Sequence, residues 1–370
     1  MKRSFARKRR LALGALAGAA LGAFVLGAAL GDGKPPRQSV LARLSPGQLA
    51  GERIVVGISG TSVPRPLRRA IGHGDVAGVV LFAGNFPSRA AGRRLVARLQ
   101  AISRPRPLRD PLLVMVDQEG GEVKRMDGAP AASARQMGAR GAAYSAHQGR
   151  ETAANLRDLG VNVDLAPVLD VGRPGGVIEA TDRSFGATAA RVSATAVPFA
   201  RALQAGGVAA TGKHFPGFGD ARENTDFAVE RIGLSKRTLR TVDEKPYEAF
   251  IATGGRLVML STAIYPAFSP DPAAFSRSVA TGELRRRLGF RGVSITDALE
   301  TTAVDAFGGP AKAGVAAVRA GVDLLLYTEL APAERARTAL VRRLRSGSLS
   351  RAAFEESAGR VLDLRADFAR

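Results

Sequence analysis

Short apolar runs alternate with longer amphipathic stretches along most of this chain. From about residue 50 onward, each apolar run is rich in β-branched residues and ends in a polar residue or a glycine turn. Such runs predict buried β-strands, and the stretches between them predict helices. The predicted strands are Ile54–Ile58, Gly78–Phe82, Leu112–Val116, Val161–Leu165, Val208–Gly212, Leu257–Leu260, Gly292–Thr296 and Asp323–Tyr327. The predicted helices include Arg89–Ile102, Ala143–Leu159, Ala189–Gln204, Ser235–Thr253, Pro310–Ala320 and a terminal helix within Ser350–Arg370.

Strands that alternate with helices predict an α/β fold with a parallel sheet. About eight such units favour a sheet that closes into a (β/α)8 barrel of the TIM type. An open, doubly wound sheet is the alternative. Polar residues support the barrel, because they come at or just after the ends of predicted strands, where barrel enzymes carry their active sites. These residues are Asn85, Asp117, Asp170, Lys213, His214 and Asp297.

The first thirty residues predict an export signal or a membrane anchor. Six positive charges lie within the first ten residues, and the apolar run Leu11–Leu30 follows them. A run of about 20 apolar residues is long enough to cross a bilayer as a helix. The positive-inside rule places the basic residues in the cytoplasm and the remainder of the chain outside. We expect residues 1–30 to be a signal peptide or membrane anchor, residues 31–45 a linker, and residues 46–370 the barrel domain of an exported protein.

The composition excludes several kinds of site. The chain has no cysteine, so it can hold no disulfide, thiol nucleophile or zinc–thiolate centre. Its three histidines, His73, His147 and His214, form no HxxxH pair, and no histidine-rich metal site is expected. The net charge of +21 fits solvated arginine-rich helix faces, with attraction to an anionic envelope surface as the alternative. No recognition motif accompanies this charge, so no nucleic-acid partner is expected.

Three predicted strands end in residues suited to sugar chemistry. Asp117 ends the third strand before a Gly-Gly turn, and its two oxygens can accept hydrogen bonds from vicinal hydroxyls of a sugar. Lys213 and His214 lie side by side at the end of the fifth strand. Asp297 ends the seventh strand and is a candidate nucleophile. Two arginines in the nearby loops add forked hydrogen-bond donors: Arg125 and Arg183.

The order of these motifs resembles glycoside hydrolase family 3. The motifs are DQEGG followed by VKR, then RSFG, KHFPG, and ITDALE after a GFxGV strand. GVVLFAGN, LGVNVDLAPVLDV and AGVDLLL fit the same pattern, so the resemblance covers about residues 50–365. DQEGG and KHFPG together are highly specific. The length resembles the compact, single-barrel branch of β-N-acetylhexosaminidases, without the second sandwich domain of larger members.

The resemblance implies a role for each candidate side chain. Asp297 matches the catalytic nucleophile, which forms a covalent glycosyl-enzyme intermediate with retention of configuration. Asp117 matches the carboxylate that binds sugar hydroxyls deep in the innermost subsite. The side chains that match the donors around this sugar are Arg125, Arg183, Lys213 and His214. No metal and no organic cofactor is implied.

The loop after KHFPG departs from the family pattern. Members of this branch usually continue with HGD and then carry an Asp-x-His pair, which is the general acid/base. By direct count, Asn224 stands in place of that Asp and Asp226 in place of the His. Phe218 replaces another histidine, and Thr262 replaces a histidine that commonly follows the sixth strand. These departures leave the proton-donating half of the mechanism open.

Three interpretations of this loop are open. In the first, Asp226 is itself the acid/base, as carboxylates are in most glycosidases. In the second, Glu223 or Asp220 moves into the site on a mobile loop. In the third, the protein is a catalytically weak or inactive relative that binds a sugar only.

The expected function is that of a retaining glycoside hydrolase acting outside the membrane. It would remove terminal β-linked N-acetylglucosamine from peptidoglycan fragments or chitooligosaccharides. Another retaining glycosidase activity, such as that of a β-glucosidase, is an alternative, as is a phosphate acceptor in place of water. The expected partner is an amino-sugar oligosaccharide or peptidoglycan fragment, and the chain is expected to be a monomer. Membrane contact is expected only through an uncleaved N-terminal helix.

Overall fold

Eight parallel strands form a nearly closed barrel. The computed structural model describes residues 37–369. The strands are β1 (Ile54–Gly57), β2 (Gly78–Leu81), β3 (Leu113–Val116), β4 (Gln118–Gly120), β5 (Val123–Lys124), β6 (Val163–Asp164), β7 (Ala209–Phe215), β8 (Leu257–Leu260), β9 (Val293–Thr296) and β10 (Leu325–Tyr327). β4 and β5 form an antiparallel hairpin, and the other eight pair in the order β10-β1-β2-β3-β6-β7-β8-β9. A parallel bridge between Ile295 and Leu324 links the two edges of this sheet.

The predicted barrel is confirmed, and the open doubly wound sheet is wrong. Each of the eight predicted strands overlaps one strand of the large sheet. The two edge strands also share backbone hydrogen bonds, from Thr296 N–H to Leu324 O (3.0 Å) and from Leu299 N–H to Leu326 O (3.0 Å). An open sheet would leave these groups unpaired.

Side chains along the strands alternate between two apolar cores. Val55 and Leu113 belong to a cluster inside the barrel. Val56 and Val114 belong to a larger cluster between the strands and the surrounding helices. The alternation follows from the two-residue period of a strand. Since apolar side chains fill the interior, ligand sites can lie only at the two ends of the barrel.

Fourteen α-helical segments accompany the strands within the described part of the chain. They are α1 (Arg37–Arg43), α2 (Pro46–Gly51), α3 (Arg65–His73), α4 (Arg89–Gln100), α5 (Ala134–Arg140), α6 (Ala142–Asp158), α7 (Val177–Ala180), α8 (Ala189–Ala205), α9 (Lys236–Thr238), α10 (Lys245–Ala252), α11 (Thr302–Phe307), α12 (Pro310–Ala320), α13 (Leu330–Arg345) and α14 (Arg351–Asp367). Several begin at a Ser or Thr whose side-chain oxygen accepts a backbone N–H of the first turn, as Ser88 does for α4 and Thr188 for α8.

The predicted helix over Ser235–Thr253 is interrupted. α9 runs into a π-helical turn over Leu239–Asp243, and α10 begins only at Lys245. Pro246 lies at the start of α10. Proline lacks an N–H and its ring clashes with the carbonyl four residues earlier, so a regular α-helix cannot pass through it.

Part of the segment predicted as a linker is folded. Within residues 31–45, α1 packs against α14, and the side chains of Leu41 and Leu44 are buried in the outer core. These two apolar side chains stabilise a helix where the polar composition predicted none. The predicted signal or anchor segment lies outside the described residues. Among residues 37–369, no helix has the length and apolarity required to cross a bilayer.

Candidate active site

A pocket of about 310 Å³ opens at the carboxyl ends of the barrel strands. Its walls come from the ends of β2, β3, β7, β9 and β10 and from the loops that follow them. All of the site residues predicted from the sequence line this pocket: Asp117, Arg125, Arg183, Lys213, His214, Asp226 and Asp297. The other contributors include the apolar side chains Phe82, Val123, Leu165, Met259 and Leu326.

Two carboxylates and two cations form a buried network at one side of the pocket. The ammonium Nζ of Lys213 lies 2.7 Å from Asp117 Oδ1 and 2.7 Å from Glu119 Oε1. Arg183 donates to both oxygens of Glu119, from Nε and from Nη2, over 2.8 Å each. This bidentate geometry fixes the guanidinium plane. Lys213 and Arg183 are thereby held with their charged groups next to Asp117.

The network keeps Glu119 and Lys213 charged. Burial alone would raise the pKa of Glu119, but Arg183 and Lys213 outweigh it and hold that pKa well below its usual range. Burial would likewise lower the pKa of Lys213, but Asp117 and Glu119 raise it above its ordinary value. Lys213 is therefore an ammonium at neutral pH.

Arg125 completes this side of the pocket. Its Nη2 lies 3.7 Å from Asp117 Oδ2, and its Nε is buried without a hydrogen-bond partner among the described residues. An unpaired buried donor is costly, so a ligand that accepts a hydrogen bond from it would be favoured.

Asp170 orients the imidazole of His214. Asp170 Oδ2 lies 2.8 Å from His214 Nδ1, while Oδ1 accepts the backbone N–H groups of His214 (3.1 Å) and Phe218 (2.7 Å). This contact favours the tautomer in which Nδ1 carries the proton and donates a hydrogen bond to the carboxylate oxygen. The other ring nitrogen, Nε2, remains for a ligand. The Phe218 ring lies 5.6 Å from the imidazole, where it supports the ring and supplies no proton.

Asp297 follows β9 directly. Its Oδ1 accepts the backbone N–H of Ala298 over 2.8 Å, and its own N–H donates to Leu260 O over 3.1 Å. The carboxylate is thus held at the strand end, with Oδ2 free of any hydrogen bond within the described residues. Glu300, two positions after Ala298, accepts the backbone N–H of Thr328 over 2.9 Å and so ties the Asp297 loop to the end of β10.

The loop after β7 brings Asp226 to the same pocket. Asn224 Nδ2 donates to Asp226 Oδ2, and Asn224 Oδ1 accepts the Asp226 N–H, both over 3.0 Å. The backbone oxygen of Asp226 accepts the N–H of Thr302 over 3.2 Å, at the start of α11. This contact connects the Asp226 loop to the segment that follows Asp297.

The environment of Asp226 raises the pKa of its carboxyl group. The Asp226 residue is exposed to solvent at the pocket mouth. Its carboxyl group is nevertheless partly desolvated by the surrounding protein atoms. This desolvation, and next the Asp297 carboxylate, raise the pKa of Asp226 above its ordinary value. The hydrogen bond from Asn224 opposes the shift and is outweighed.

Several other candidates lie outside the pocket. Asn85 bridges strand ends, because its Nδ2 donates to Ile58 O (3.0 Å) and Gly60 O (2.6 Å). Asp220 lies 4.0 Å from Arg173, and the N–H of the exposed Glu223 donates to Glu230 over 3.2 Å. Neither of these two acidic residues lines the pocket in this structure.

Glu119 and Glu300 were not predicted from the sequence. The signal for Glu119 was the two-residue period of an extended strand, which puts it on the same face as Asp117. Asp164 was also missed. It is buried, and its Oδ1 accepts the N–H of Gln118 over 3.0 Å, which anchors the backbone between Asp117 and Glu119. Among residues 37–369, no cluster of three or more His, Cys, Asp or Glu side chains is suited to hold a metal ion.

Known proteins share this chain's sequence and fold. The model of the glycosyl hydrolase family 3 N terminal domain matches residues 51–364. An uncharacterized secreted glycosyl hydrolase of Arthroderma benhamiae is 38% identical over 320 residues, covering 84% of this chain and 91% of its own. A β-hexosaminidase of Stenotrophomonas maltophilia is 34% identical over 287 residues, covering 74% of this chain and 82% of its own.

A solved structure agrees with the observed barrel. The β-N-acetylhexosaminidase of Beutenbergia cavernae superposes with a TM-score of 0.81 at 31% identity, covering 88% of this chain and 99% of that chain. The match of the family model extends from before β1 to α14, and so includes every strand of the barrel and every residue of the pocket. The chain therefore belongs to glycosyl hydrolase family 3.

Proposed function

We propose that this protein is a retaining β-N-acetylglucosaminidase that acts on amino-sugar oligosaccharides, including peptidoglycan fragments or chitooligosaccharides. The observation that carries the proposal is that two carboxylates, Asp226 and Asp297, line the same pocket, and the raised pKa of Asp226 supports it. Retaining glycosidases need one ionised carboxylate as nucleophile and one protonated acid. The names of the similar proteins, β-hexosaminidase and β-N-acetylhexosaminidase, support the choice of sugar.

Asp297 is proposed as the nucleophile. Its Oδ1 is engaged by the N–H of Ala298, which orients Oδ2 without neutralising the group. Attack of Oδ2 on the anomeric carbon forms the glycosyl–enzyme ester while the bond to the aglycone oxygen breaks. Lys213 and Arg183 contribute positive charge to the same pocket.

Asp226 is proposed as the acid/base. In the first step it gives its proton to the departing aglycone oxygen, and the hydrogen bond from Asn224 then stabilises the resulting carboxylate. In the second step the same carboxylate takes a proton from water, which attacks the anomeric carbon and releases Asp297. Two displacements return the sugar with its original β configuration.

The buried network is proposed to bind the hydroxyls of the innermost sugar. Asp117 accepts hydrogen bonds, whereas Arg125, Arg183, Lys213 and His214 donate or share them. Phe82, Met259 and Leu326 supply apolar surface for the faces of the pyranose ring. The charged side chains are already paired with one another, so the site is preorganised before the sugar arrives.

The protein is further proposed to act outside the cytoplasm. The support is the basic segment followed by Leu11–Leu30, together with the secreted relative from Arthroderma benhamiae. Fusing residues 1–45 to a reporter enzyme that is active only after export tests this point. A reporter that stays inactive with the fusion, but becomes active with an established signal sequence, would contradict it.

Hydrolysis by the full chain tests the proposed activity. The substrates are p-nitrophenyl N-acetyl-β-glucosaminide and chitobiose, with the p-nitrophenyl β-glucoside as the control sugar. The wild-type protein should cleave the two N-acetyl substrates, and Asp297→Ala should abolish cleavage of both. Preference for the glucoside would overturn the choice of sugar. Binding of N-acetylglucosamine without any hydrolysis would show a sugar-binding protein that lacks catalysis.

A further inference from the structure

A second and larger cavity, of about 730 Å³, lies at the opposite end of the barrel. Its walls include Pro111, Asn162, Val208 and Arg256, each of which comes shortly before a barrel strand. α14 also borders it, through Leu364, Asp367 and Phe368 at its end. The proposed hydrolase chemistry uses none of these residues.

Four arginines line this cavity, whereas Asp367 is the one carboxylate among its lining residues. Asp367 is paired with Arg256. Arg157 donates to the backbone oxygen of Gly206 over 3.2 Å, which orients the guanidinium but does not neutralise its charge. The lining therefore carries a clear excess of positive charge. The four arginines are Arg104, Arg109, Arg157 and Arg256.

Arg104 is the least satisfied of these cations. Within residues 37–369, its Nη1 is buried without a hydrogen-bond partner, and its Nη2 makes a long contact of 3.4 Å to Arg109 O. The nearby carboxylate of Glu52 is already engaged by Arg365, which donates to both of its oxygens. Burial, and next the charge of Arg365, lower the pKa of Arg104 to about 9, against the opposing effect of the Glu52 and Asp110 carboxylates. A bound anion would accept a hydrogen bond from the unpaired Nη1 and would offset the cost of burying this positive charge.

The amide side chains at the cavity wall are engaged elsewhere. Gln100 exchanges two hydrogen bonds of 2.9 Å with the backbone of Leu112, and Gln204 accepts the Arg256 N–H over 3.0 Å. The cavity therefore offers guanidinium donors beside an apolar wall of Val161, Val208, Leu364 and Phe368. Guanidinium groups match the geometry of phosphate oxygens, so several of them around one cavity favour an anionic phosphate group.

We propose that this cavity is a binding site for a small phosphate-bearing ligand, separate from the sugar pocket. Arg104 and Arg256 contact the phosphate, and the carbon skeleton of the ligand lies against Phe368 and Leu364. The cavity volume is within the range of small-molecule sites, roughly 300–1,000 Å³. Phosphomonoesters and phosphodiesters both present anionic phosphate oxygens. The titration distinguishes which of the two classes binds.

Calorimetric titration of the full chain tests the site. The probes are glycerol 3-phosphate as a monoester, glycerophosphoglycerol as a diester, and sodium chloride at matched ionic strength. Saturable binding at one site is expected for at least one phosphate probe. Arg104→Gln should weaken it by roughly ten- to hundredfold, the usual effect of losing a charged hydrogen bond. Arg256→Gln should also weaken phosphate binding. Because Arg256 lies at the exposed rim of the cavity, this variant should fold even if the buried Arg104→Gln substitution does not.

Arg335→Gln is the matched control, because it removes the same charge from an exposed position on α13. Binding should be unchanged in this variant. Equal weakening in Arg335→Gln and Arg104→Gln would show unspecific charge attraction and overturn the site, as would the absence of saturation with either phosphate probe. Hydrolysis of the chromogenic sugar is measured in parallel. The two results are independent, so failure of one proposal is distinguishable from failure of the other.

Discussion

The side chain of Asn224 holds Asp226 by two hydrogen bonds of 3.0 Å, one to the Asp226 carboxylate and one from its backbone N–H. The family pattern has an Asp followed two positions later by a His, with the carboxylate in the first place. In this chain the carboxylate occupies the second place and an amide occupies the first. An amide cannot take a proton at neutral pH, which supports the proposal that Asp226 transfers the proton.

Removing the Asp226 carboxyl group should affect substrates according to their leaving group. In Asp226→Ala, kcat/KM for chitobiose should fall by about 10²- to 10⁴-fold, because its sugar leaving group needs a proton. For p-nitrophenyl N-acetyl-β-glucosaminide the loss should be far smaller, since nitrophenolate leaves without protonation. Steady-state kinetics on both substrates measure the difference.

The neighbouring Glu223→Gln is the control for this prediction. Glu223 is exposed and does not line the pocket. Its substitution should leave both kcat/KM values within about twofold of the wild-type values, since surface changes of this kind are small. If Glu223→Gln instead lost activity selectively on chitobiose and Asp226→Ala did not, Glu223 would be the proton donor and the role proposed for Asp226 would be contradicted.

Asn224→Ala should extend activity to higher pH. The hydrogen bond from Asn224 lowers the pKa of Asp226, against burial and Asp297, which raise it. Without that bond the pKa of Asp226 rises, and the protonated acid persists to a higher pH. The alkaline limb of the pH profile of kcat/KM should therefore move upward. A downward shift would mean that Asn224 does not stabilise the Asp226 carboxylate.

Glu119→Gln should destabilise the protein at neutral pH. Its carboxylate is buried between Arg183 and Lys213, and removing one member of such a network leaves the cations uncompensated, at a cost of about 3–5 kcal/mol. The folded-state pKa of Glu119 is depressed, so its stabilisation is present above the ordinary value of 4.5 and is lost as pH falls below it.

Urea unfolding at several pH values measures this effect. The difference in the free energy of unfolding between the wild type and Glu119→Gln should be largest near pH 7, and it should narrow steadily at pH values below about 4.5. The control is Glu122→Gln, an exposed carboxylate in the same hairpin region. If the difference in the free energy of unfolding did not depend on pH, the variant would be destabilised by poorer packing and not by the loss of the ion pairs.

Asp170→Asn should impair catalysis without unfolding the protein. The amide keeps the size of the side chain but weakens the acceptor that holds His214 Nδ1–H. Loss of a charged hydrogen bond is worth about 1.5–3 kcal/mol, so kcat/KM should fall roughly ten- to hundredfold. Circular dichroism checks the fold. An unchanged kcat/KM would show that the orientation of His214 does not matter for sugar binding.

The sequence predicted the barrel because its strands carry local signals. Runs such as Leu112–Val116 are apolar, β-branched and bounded by polar residues, and each of these features depends on neighbours in the chain. The positions of Asp117, Lys213 and Asp297 followed from the same pattern, since parallel strands of a barrel present their carboxyl ends at one face.

Other features depend on contacts between distant parts of the chain. The pairing of Glu119 with Arg183 joins positions 64 residues apart, and no local pattern specifies it. Burial of Leu41 against α14 likewise turned a predicted linker segment into a helix. The π-helical turn before α10 could have been foreseen, because Pro246 lay in the middle of the predicted helix.

Proton NMR of the first sugar released tests the central claim of a retaining mechanism most directly. The full chain is mixed with p-nitrophenyl N-acetyl-β-glucosaminide, and the anomeric signals are followed before mutarotation mixes them. Two displacements, with Asp297 as nucleophile, predict that the β anomer of N-acetylglucosamine appears first and the α anomer later. Initial release of the α anomer would show a single displacement by water and would contradict the role assigned to Asp297.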